Sequence, residues 1–292
     1  MTGREAGAGR RGRSRAVTAL LLAPTSAWYL LLLVVPLLLL LVFSFGARAP
    51  EGGYAPALLL DNYLALPTRA TAFVNTLWLA AGGTVLCLLV GYPLAYYLAT
   101  RAGSKRTLLL VLVVVPFWTS FLIRTYAWIT ILGNTGIPAI LDSLGLGRVV
   151  LINTPAAVLI GIVYNYLPLM VFPLYISLER LDKRLLEASK DLGAGRLATF
   201  RQVTLPLTSA GLLSGAILVF IPIMGEYVIP ALLGGGKVFF VGNALVDLFL
   251  QSRNWPLGSA LAIVLILVIL TAVTFYLRVG SRAGIQREVS IL

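Results

Sequence analysis

The segment EASKDLGAGRLATFRQVTLPL, residues 187–207, is a long polar stretch set between two apolar runs. Residues 187–192 contain good helix formers, and Gly193 permits the left-handed backbone turn that commonly ends a helix. We therefore expect two short helices joined near Gly193, with Pro206 in the first turn of the next membrane helix. We interpret this protrusion as a docking surface and not as a catalytic site. Its candidate contact residues are Glu187, Ala188, Ser189, Asp191, Leu192, Gly193, Leu205 and Pro206.

The composition is that of an integral membrane protein. Of 292 residues, 59% are hydrophobic and only 12% are charged, which excludes an ordinary soluble domain. The net charge of +12 would indicate nucleic-acid binding in a soluble chain. Here the basic residues lie on one side of a membrane, so we expect no nucleic-acid partner. With the single cysteine Cys87 and no histidine, the sequence indicates no metal site, no internal disulfide and no cofactor.

Six apolar runs are long enough to cross a bilayer, whose hydrocarbon core requires roughly 20 residues of helix. They lie near residues 24–45, 73–99, 108–132, 156–178, 207–231 and 256–278. Arginines precede the first run, as in a signal peptide, but its apolar stretch continues through residues 30–43 and is too long for one. We predict an all-α membrane protein with six transmembrane helices.

The lysines and arginines predict the orientation, because short positively charged loops are retained in the cytoplasm. Of the 23 basic residues, 17 lie in the N-terminal tail, after the second and fourth runs, and after the sixth. Five lie on the opposite side, and Arg124 lies within the third run. Both termini and the segment 187–207 are therefore predicted to be cytoplasmic.

These assignments divide the chain into four parts. Residues 1–16, which are rich in glycine and arginine, are expected to form a disordered basic cytoplasmic tail. Residues 17–72 hold the first transmembrane helix and an extracytoplasmic loop. Residues 73–279 form the transmembrane transport domain, and residues 280–292 form a cytoplasmic C-terminal tail.

The spacing of residues 187–206 resembles the EAA–G–I–LP motif of permease subunits of ABC importers. Ser189 replaces the second alanine of that motif and Val203 replaces its isoleucine, and both changes are small. The resemblance extends from about Asn75 to beyond the fifth run. Further segments are similar to PotB-type permeases of spermidine/putrescine importers, namely GYPLAYYLA (91–99), PFWTSFLIRTYAW (116–128), YNYLPLM (164–170) and GEYVIPALLGG (225–235).

This resemblance implies a type I ABC importer transmembrane domain in a bacterial inner membrane. Such a subunit forms half of the pathway for a polyamine or a related small cation. The implied partners are cytoplasmic ATP-binding subunits, a second homologous permease, an extracytoplasmic substrate-binding protein and membrane lipid. The sequence contains no GxxxxGK[ST] phosphate loop, so we expect a non-catalytic subunit. One departure is Ala231, where the family often has an acid, so a related small organic solute is an alternative substrate.

Two ionisable residues fall inside predicted spans, Arg124 in the third and Glu226 in the fifth. Such residues commonly mark a transport path, and they are equally able to form a salt bridge with each other. Tyr227 and Trp118 offer aromatic faces for a cation, and Asn165 places an amide in the fourth span. These five residues are the candidates for the substrate pathway.

Two other classes of function compete with this interpretation. A stand-alone secondary transporter or channel would work without an ATPase, although such proteins commonly contain inverted repeats, which we do not recognise here. An intramembrane enzyme would need a nucleophile with a base, or a metal cluster. The sequence, which has no histidine, offers no such set.

Overall fold

The described part of the chain is predominantly helical. The computed structural model describes Thr18 and residues 20–282. The predicted tail 1–16 therefore lies outside the described residues, as do residues 283–292 of the predicted C-terminal tail. A short antiparallel ribbon follows the first helix and consists of β1 (Ala47–Arg48) and β2 (Tyr54–Ala55).

The helices are numbered in chain order. Their bounds are α1 Leu20–Ser44, α2 Asp61–Leu64, α3 Ala70–Thr100, α4 Arg106–Trp118, α5 Phe121–Leu132, α6 Ile137–Ser143, α7 Pro155–Glu179, α8 Lys183–Asp191, α9 Arg196–Leu207, α10 Ser209–Met224, α11 Val228–Leu233, α12 Val241–Gln251 and α13 Trp255–Arg282. A π-helical turn lies within each of α1, α9 and α12, at Leu30–Val34, Phe200–Thr204 and Asp247–Gln251.

Four helices, α1, α3, α7 and α13, are each long and apolar enough to cross a membrane. Two bent pairs have the same character: Gly103–Trp118 with Phe121–Ser143, and α9 with α10. When each bent pair is taken as one span, the described residues contain six spans. The predicted all-α membrane fold is therefore confirmed, while two of its spans differ from the predicted ones.

The prediction of one helix over residues 108–132 is wrong, because the third span is broken. After α4 ends at Trp118, Thr119 has an extended backbone (φ −84°, ψ 150°), and the next helical segment is turned by 92°. The carbonyl oxygen of Pro116 accepts the Thr119 backbone N–H at 3.3 Å and the Thr119 hydroxyl at 2.8 Å. This local bonding replaces part of the helical ladder and allows the span to turn.

The predicted continuous helix over residues 207–231 is also wrong, because the fifth span is interrupted at both ends. At its outer end α10 stops at Met224, and α11 begins four residues later. Pro206 lies in the last turn of α9 and not in the first turn of α10, and these helices meet near Thr208 at 66°. Since proline has no N–H to donate, the helical ladder is interrupted there, and the preceding turn is π-helical.

The core of the fold is formed by α3, α7 and α10, with α13 packed on α10 and α1 packed on α13. Glycines bring the core helices close together. A Cβ added at Gly83 would lie 2.7 Å from Ile162 Cγ2, and one at Gly211 would lie 2.6 Å from the Pro173 carbonyl oxygen. Small residues at helix contacts are typical of membrane proteins, in which close packing drives helix association.

Charged residues join the start of α4 to the end of α7. Arg106 at the start of α4 forms an ion pair with Glu179 at the end of α7, and its guanidinium lies 5.0 Å from the centre of the Tyr175 ring. Since α8 directly follows this end of α7, the two internal basic loops that are predicted to be cytoplasmic, after α3 and after α7, lie on the same side of the core. At the opposite end, the backbone N–H of Gly53 donates to the carbonyl of Arg253 at 2.7 Å.

We predict that Gly211→Ala destabilises the folded chain by about 1–3 kcal/mol. Its new methyl group would lie 2.5 Å from Ser177 Cβ and 2.6 Å from the Pro173 carbonyl oxygen. Gly82→Ala is the matched control, because the nearest atom there, in Leu159, is 3.8 Å away and alanine favours the helix. Thermal unfolding in detergent measures the difference, and equal melting temperatures for the two variants would contradict the close contact of α7 with α10.

Candidate docking loop and substrate pathway

The segment 187–207 contains the two short helices that the sequence predicts. The side chain of Asp182 caps the start of α8, where its Oδ1 accepts a backbone N–H of the first turn at 2.9 Å. After α8, Gly193 adopts φ +82°, and the Ala194 N–H donates to the carbonyl of Ser189 at 3.1 Å. This left-handed turn, which favours glycine, connects α8 to α9.

Most of the candidate docking residues lie on the surface of this turn. Glu187, Ala188, Asp191, Leu192 and Gly193 are exposed, and Leu192 is 89% exposed. An exposed leucine with carboxylates close in sequence matches the arrangement of a protein interface, in which an apolar centre has a polar rim. The geometry therefore suits contact with another protein, and the role of these residues in docking stays a prediction.

The remaining candidates differ in how far they are exposed. Ser189 is half-buried, and its hydroxyl lies 3.1 Å from that of Thr199 on α9. Leu205 packs against the core, whereas Pro206 is exposed. Residues of both α8 and α9 line a cleft of about 770 Å³. The small residues that line it include Ala188, Gly193, Ala194 and Ala198.

The sequence predicts that Glu226 lies within a continuous fifth helix. In the structure it lies instead in the break between α10 and α11. It is buried, and its Oε1 accepts the backbone N–H groups of Tyr227, Val228 and Ile229 at 3.0, 2.8 and 3.3 Å. Its Oε2 accepts a hydrogen bond from the hydroxyl of Tyr166 on α7. The carboxylate thus satisfies the first N–H groups of α11, which have no acceptor within that helix.

Arg124 on α5 does not form the salt bridge with Glu226 that its charge suggested. Over residues 20–282, side-chain ion pairs within 4.0 Å join Arg106 to Glu179 and Arg148 to Asp142. The Arg124 guanidinium lies 5.2 Å from the ring centre of Phe117 and 6.0 Å from that of Phe121. Its Nε and Nη1 are buried and have no hydrogen-bond partner among the described residues. Aromatic faces therefore hold this cation.

The other three pathway candidates lie on different elements. Asn165 on α7 is buried and donates its amide N–H to the Gly161 carbonyl at 2.9 Å, while its Oδ1 has no partner in the described part of the chain. Tyr227 is about half exposed, and Trp118, at the end of α4, is 80% exposed. The hydrogen bond from Tyr166 brings the fourth span to Glu226. Within the described residues, no hydrogen bond joins Arg124 or Trp118 to Glu226 or Tyr166.

Sequence reasoning misses the residues that hold the break in the fifth span. From sequence, Tyr166 is no more than an aromatic face in the fourth span, and nothing distinguishes Asn243. The Asn243 side chain donates to the Tyr227 carbonyl at 2.8 Å. An acid shortly before a Val-Ile-Pro sequence is a recognisable helix-start signal and could have located α11. No local signal relates Tyr166 to Glu226, which lie 60 positions apart.

Residues 91–283 match the family described as "Binding-protein-dependent transport system inner membrane component". The chain belongs to this family of permease subunits. It is therefore a multi-pass protein of the inner membrane. In this family ATP hydrolysis takes place on separate subunits, so the permease is a non-catalytic membrane component.

The permease is similar to known polyamine permeases over most of its length. It is 42% identical over 260 residues to "Spermidine/putrescine transport system permease protein PotB" of Haemophilus influenzae, which covers 87% of this chain and 91% of that protein. It is 42% identical over 230 residues to the protein of the same name from Escherichia coli K12, covering 77% of this chain and 84% of that one.

The fold of the permease also matches solved structures. A bacterial ABC transporter that imports the acidic polysaccharide alginate contains a chain that aligns with a TM-score of 0.70 at 21% identity. The alignment covers 96% of this permease and 100% of that chain. At this level of identity the match concerns the fold alone, and it confirms the architecture of an ABC importer membrane subunit.

We predict that Glu226→Ala destabilises the permease by about 1–3 kcal/mol, because it leaves buried N–H groups of α11 and the Tyr166 hydroxyl without an acceptor. Glu187→Ala is the matched control, since Glu187 is exposed on α8 and its loss should change stability by no more than about 0.5 kcal/mol. Thermal unfolding of the purified permease measures both. If Glu226→Ala unfolds at the same temperature as the wild type, the capping role of Glu226 is wrong.

Proposed function

We propose that this permease forms half of the translocation pathway for spermidine, putrescine or a related small cation. The observation that carries the proposal is its 42% identity, over 87% of the chain, to the Haemophilus influenzae protein named for spermidine/putrescine transport. The Escherichia coli relative of the same name supports the same substrate class.

The proposed machine contains several other subunits. Cytoplasmic ATP-binding subunits drive it, a second homologous permease completes the pathway, and membrane lipid surrounds the spans. An extracytoplasmic protein delivers the substrate, which the family's description as binding-protein-dependent supports. In this machine residues 73–279 form the transmembrane domain, residues 17–72 form the first helix and outer loop, and residues 1–16 and 280–292 form the cytoplasmic tails.

The protrusion formed by α8 and α9 is the proposed surface on which an ATP-binding subunit acts. It presents exposed Leu192 between the carboxylate of Asp191 and the turn at Gly193, and Glu187 lies one helical turn earlier. Since α8 follows α7 and α9 leads into α10, a displacement of the protrusion acts on two core helices at once. This connection supports a coupling role.

Glu226 is the proposed acceptor for an ammonium group of the substrate. Its Oε1 is held by three backbone N–H groups, whereas its Oε2 accepts from the hydroxyl of Tyr166. An ammonium group can replace that hydroxyl and form a charge-assisted hydrogen bond. Tyr227 offers an adjacent aromatic face, and the Oδ1 of Asn165 is a second acceptor on α7.

Arg124 and Trp118 contribute to the same path in different ways. A polyamine is cationic, so Arg124 repels it and limits where it passes. Trp118 offers an exposed indole, the aromatic group that attracts cations best. Both residues flank the break in the third span, so a change in that break would alter the path.

The function is tested with the full transporter in proteoliposomes, assembled from this permease, its ATP-binding subunits, the second permease and the binding protein. We expect radiolabelled spermidine to accumulate only when ATP is supplied on the ATPase side. Uptake by the purified permease alone would support a stand-alone transporter instead. Absence of spermidine and putrescine uptake by a transporter that hydrolyses ATP would contradict the proposed substrate class.

We predict that Gly193→Asp releases the ATP-binding subunit and lowers uptake by at least about tenfold, because it adds a charge and a side chain at the docking contact. Gly145→Asp is the matched control. Gly145 also has a positive φ, and a Cβ added there would meet no atom of the described residues within 4 Å, but it lies in a predicted extracytoplasmic loop. Co-purification of the ATP-binding subunit measures docking. Retention equal to the wild type in Gly193→Asp would contradict the assignment.

We predict that Glu226→Gln lowers spermidine uptake at limiting substrate by about tenfold, since it removes a charge-assisted hydrogen bond worth ~1.5–3 kcal/mol. The amide oxygen of glutamine still accepts the α11 backbone N–H groups, so the melting temperature should change little. Glu51→Gln, at an exposed outer position, is the control. Normal uptake by Glu226→Gln would remove this residue from the path.

A further inference from the structure

Tyr92 on α3 contacts the chain on both sides of the end of α9. Its ring centre lies 5.5 Å from that of Phe200, with the two rings at 90°, and its hydroxyl oxygen lies 2.9 Å from that of Thr208. Both Tyr92 and Thr208 are buried. The Thr208 hydroxyl donates to the Thr204 carbonyl at 2.8 Å, so the Tyr92 hydroxyl is the donor to Thr208.

One of these contacts lies at the π-helical turn of α9, and the other lies at the bend that follows the end of α9. Phe200 opens the π-helical turn Phe200–Thr204, and Thr208 lies at the 66° bend between α9 and α10. Helices bend where their regular hydrogen-bond ladder is interrupted. Tyr92 therefore bridges, from another helix, the stretch between the π turn and the bend.

The docking turn and the core are each connected to this stretch. On the side of the turn, the Ser189 hydroxyl of α8 lies 3.1 Å from the hydroxyl of Thr199, which directly precedes Phe200. On the side of the core, α3 packs closely on α7, where a Cβ added at Gly91 would lie 3.1 Å from Met170 Cγ. A continuous set of contacts thus runs from α8 through α9 to α3.

We propose that Tyr92 is a positioning residue for energy coupling. It keeps the π turn and the 66° bend at Thr208 in one geometry, so that a displacement of the docking turn is passed to α3 and α10. The hydroxyl of Tyr92 fixes the bend, and its ring fixes the π turn at Phe200. The inference rests on the proposed function, because it requires an ATP-binding subunit to act on α8 and α9.

The test compares Tyr92→Phe, Thr208→Val and the double variant in the full transporter in proteoliposomes. Each single variant removes one member of the hydroxyl pair with little change of shape. We expect the amount of spermidine imported per ATP hydrolysed to fall about fivefold or more in each, which is a typical coupling between two sites. Because the hydroxyls act as a pair, the double variant should lose no more than either single one.

Tyr97→Phe is the matched control, since Tyr97 is exposed on the same helix, and it should keep the wild-type ratio. A purely structural role for Tyr92 would lower uptake and ATP hydrolysis by the same factor, in step with the loss of folded protein. A constant ratio of uptake to ATP hydrolysis in Tyr92→Phe and Thr208→Val would therefore overturn the inference.

The Gly193→Asp variant separates failure of this inference from failure of the proposed function. If Gly193→Asp releases the ATP-binding subunit while the Tyr92 variants keep the wild-type ratio, the role of Tyr92 alone is wrong. If Gly193→Asp changes neither docking nor uptake, the proposed docking function is wrong, and the coupling role of Tyr92 is wrong with it.

Discussion

Any break in a membrane span must satisfy its own backbone hydrogen bonds, because lipid supplies neither donors nor acceptors. Both broken spans of this permease are built around that constraint. In the third span, the Pro116 carbonyl accepts from the backbone and the hydroxyl of Thr119. In the fifth, the Glu226 carboxylate accepts three backbone N–H groups of α11. Polar groups are thereby held at both breaks, and the unbroken helices α3 and α7 provide the frame.

Hydropathy suffices to predict six spans, because it is a signal averaged over about 20 residues, and the charge of whole loops predicts their orientation. The breaks within spans are harder to predict, since the hydrogen bonds at each break involve only one or two side chains. Membrane helices tolerate prolines such as Pro116 and Pro222, and neighbouring groups decide whether a span continues. At the break in the third span, the hydroxyl and the backbone N–H of Thr119 both donate to the Pro116 carbonyl. At the break in the fifth, the Glu226 carboxylate accepts the N–H groups of a new helix start.

The two short helices of the candidate docking loop and the turn between them could be predicted because their geometry is local, whereas the position of Pro206 could not. The turn at Gly193 is formed by hydrogen bonds between residues that are close in sequence, so the local sequence is enough to predict it. The candidate pathway residues could be chosen only by their type and by their position within a predicted span. Opposite charge suggested that Arg124 pairs with Glu226, but Phe117 and Phe121 hold the arginine, and Tyr166 and the α11 backbone hold the glutamate. Such pairings depend on how distant helices meet, which one sequence does not reveal.

The role of Glu226 as a cap is compatible with its proposed role as a substrate acceptor, because its two oxygens have different partners. Oε1 holds the start of α11, whereas Oε2 connects α11 to α7 through Tyr166. On the proposed function, an ammonium group that displaces Tyr166 loosens the contact between these helices without uncapping α11. The same α7 ends at Glu179, and the chain continues from there into α8 of the candidate docking loop. On the proposed function, substrate acts on the middle of α7 and the ATPase acts at its end, which gives them a structural route to influence each other.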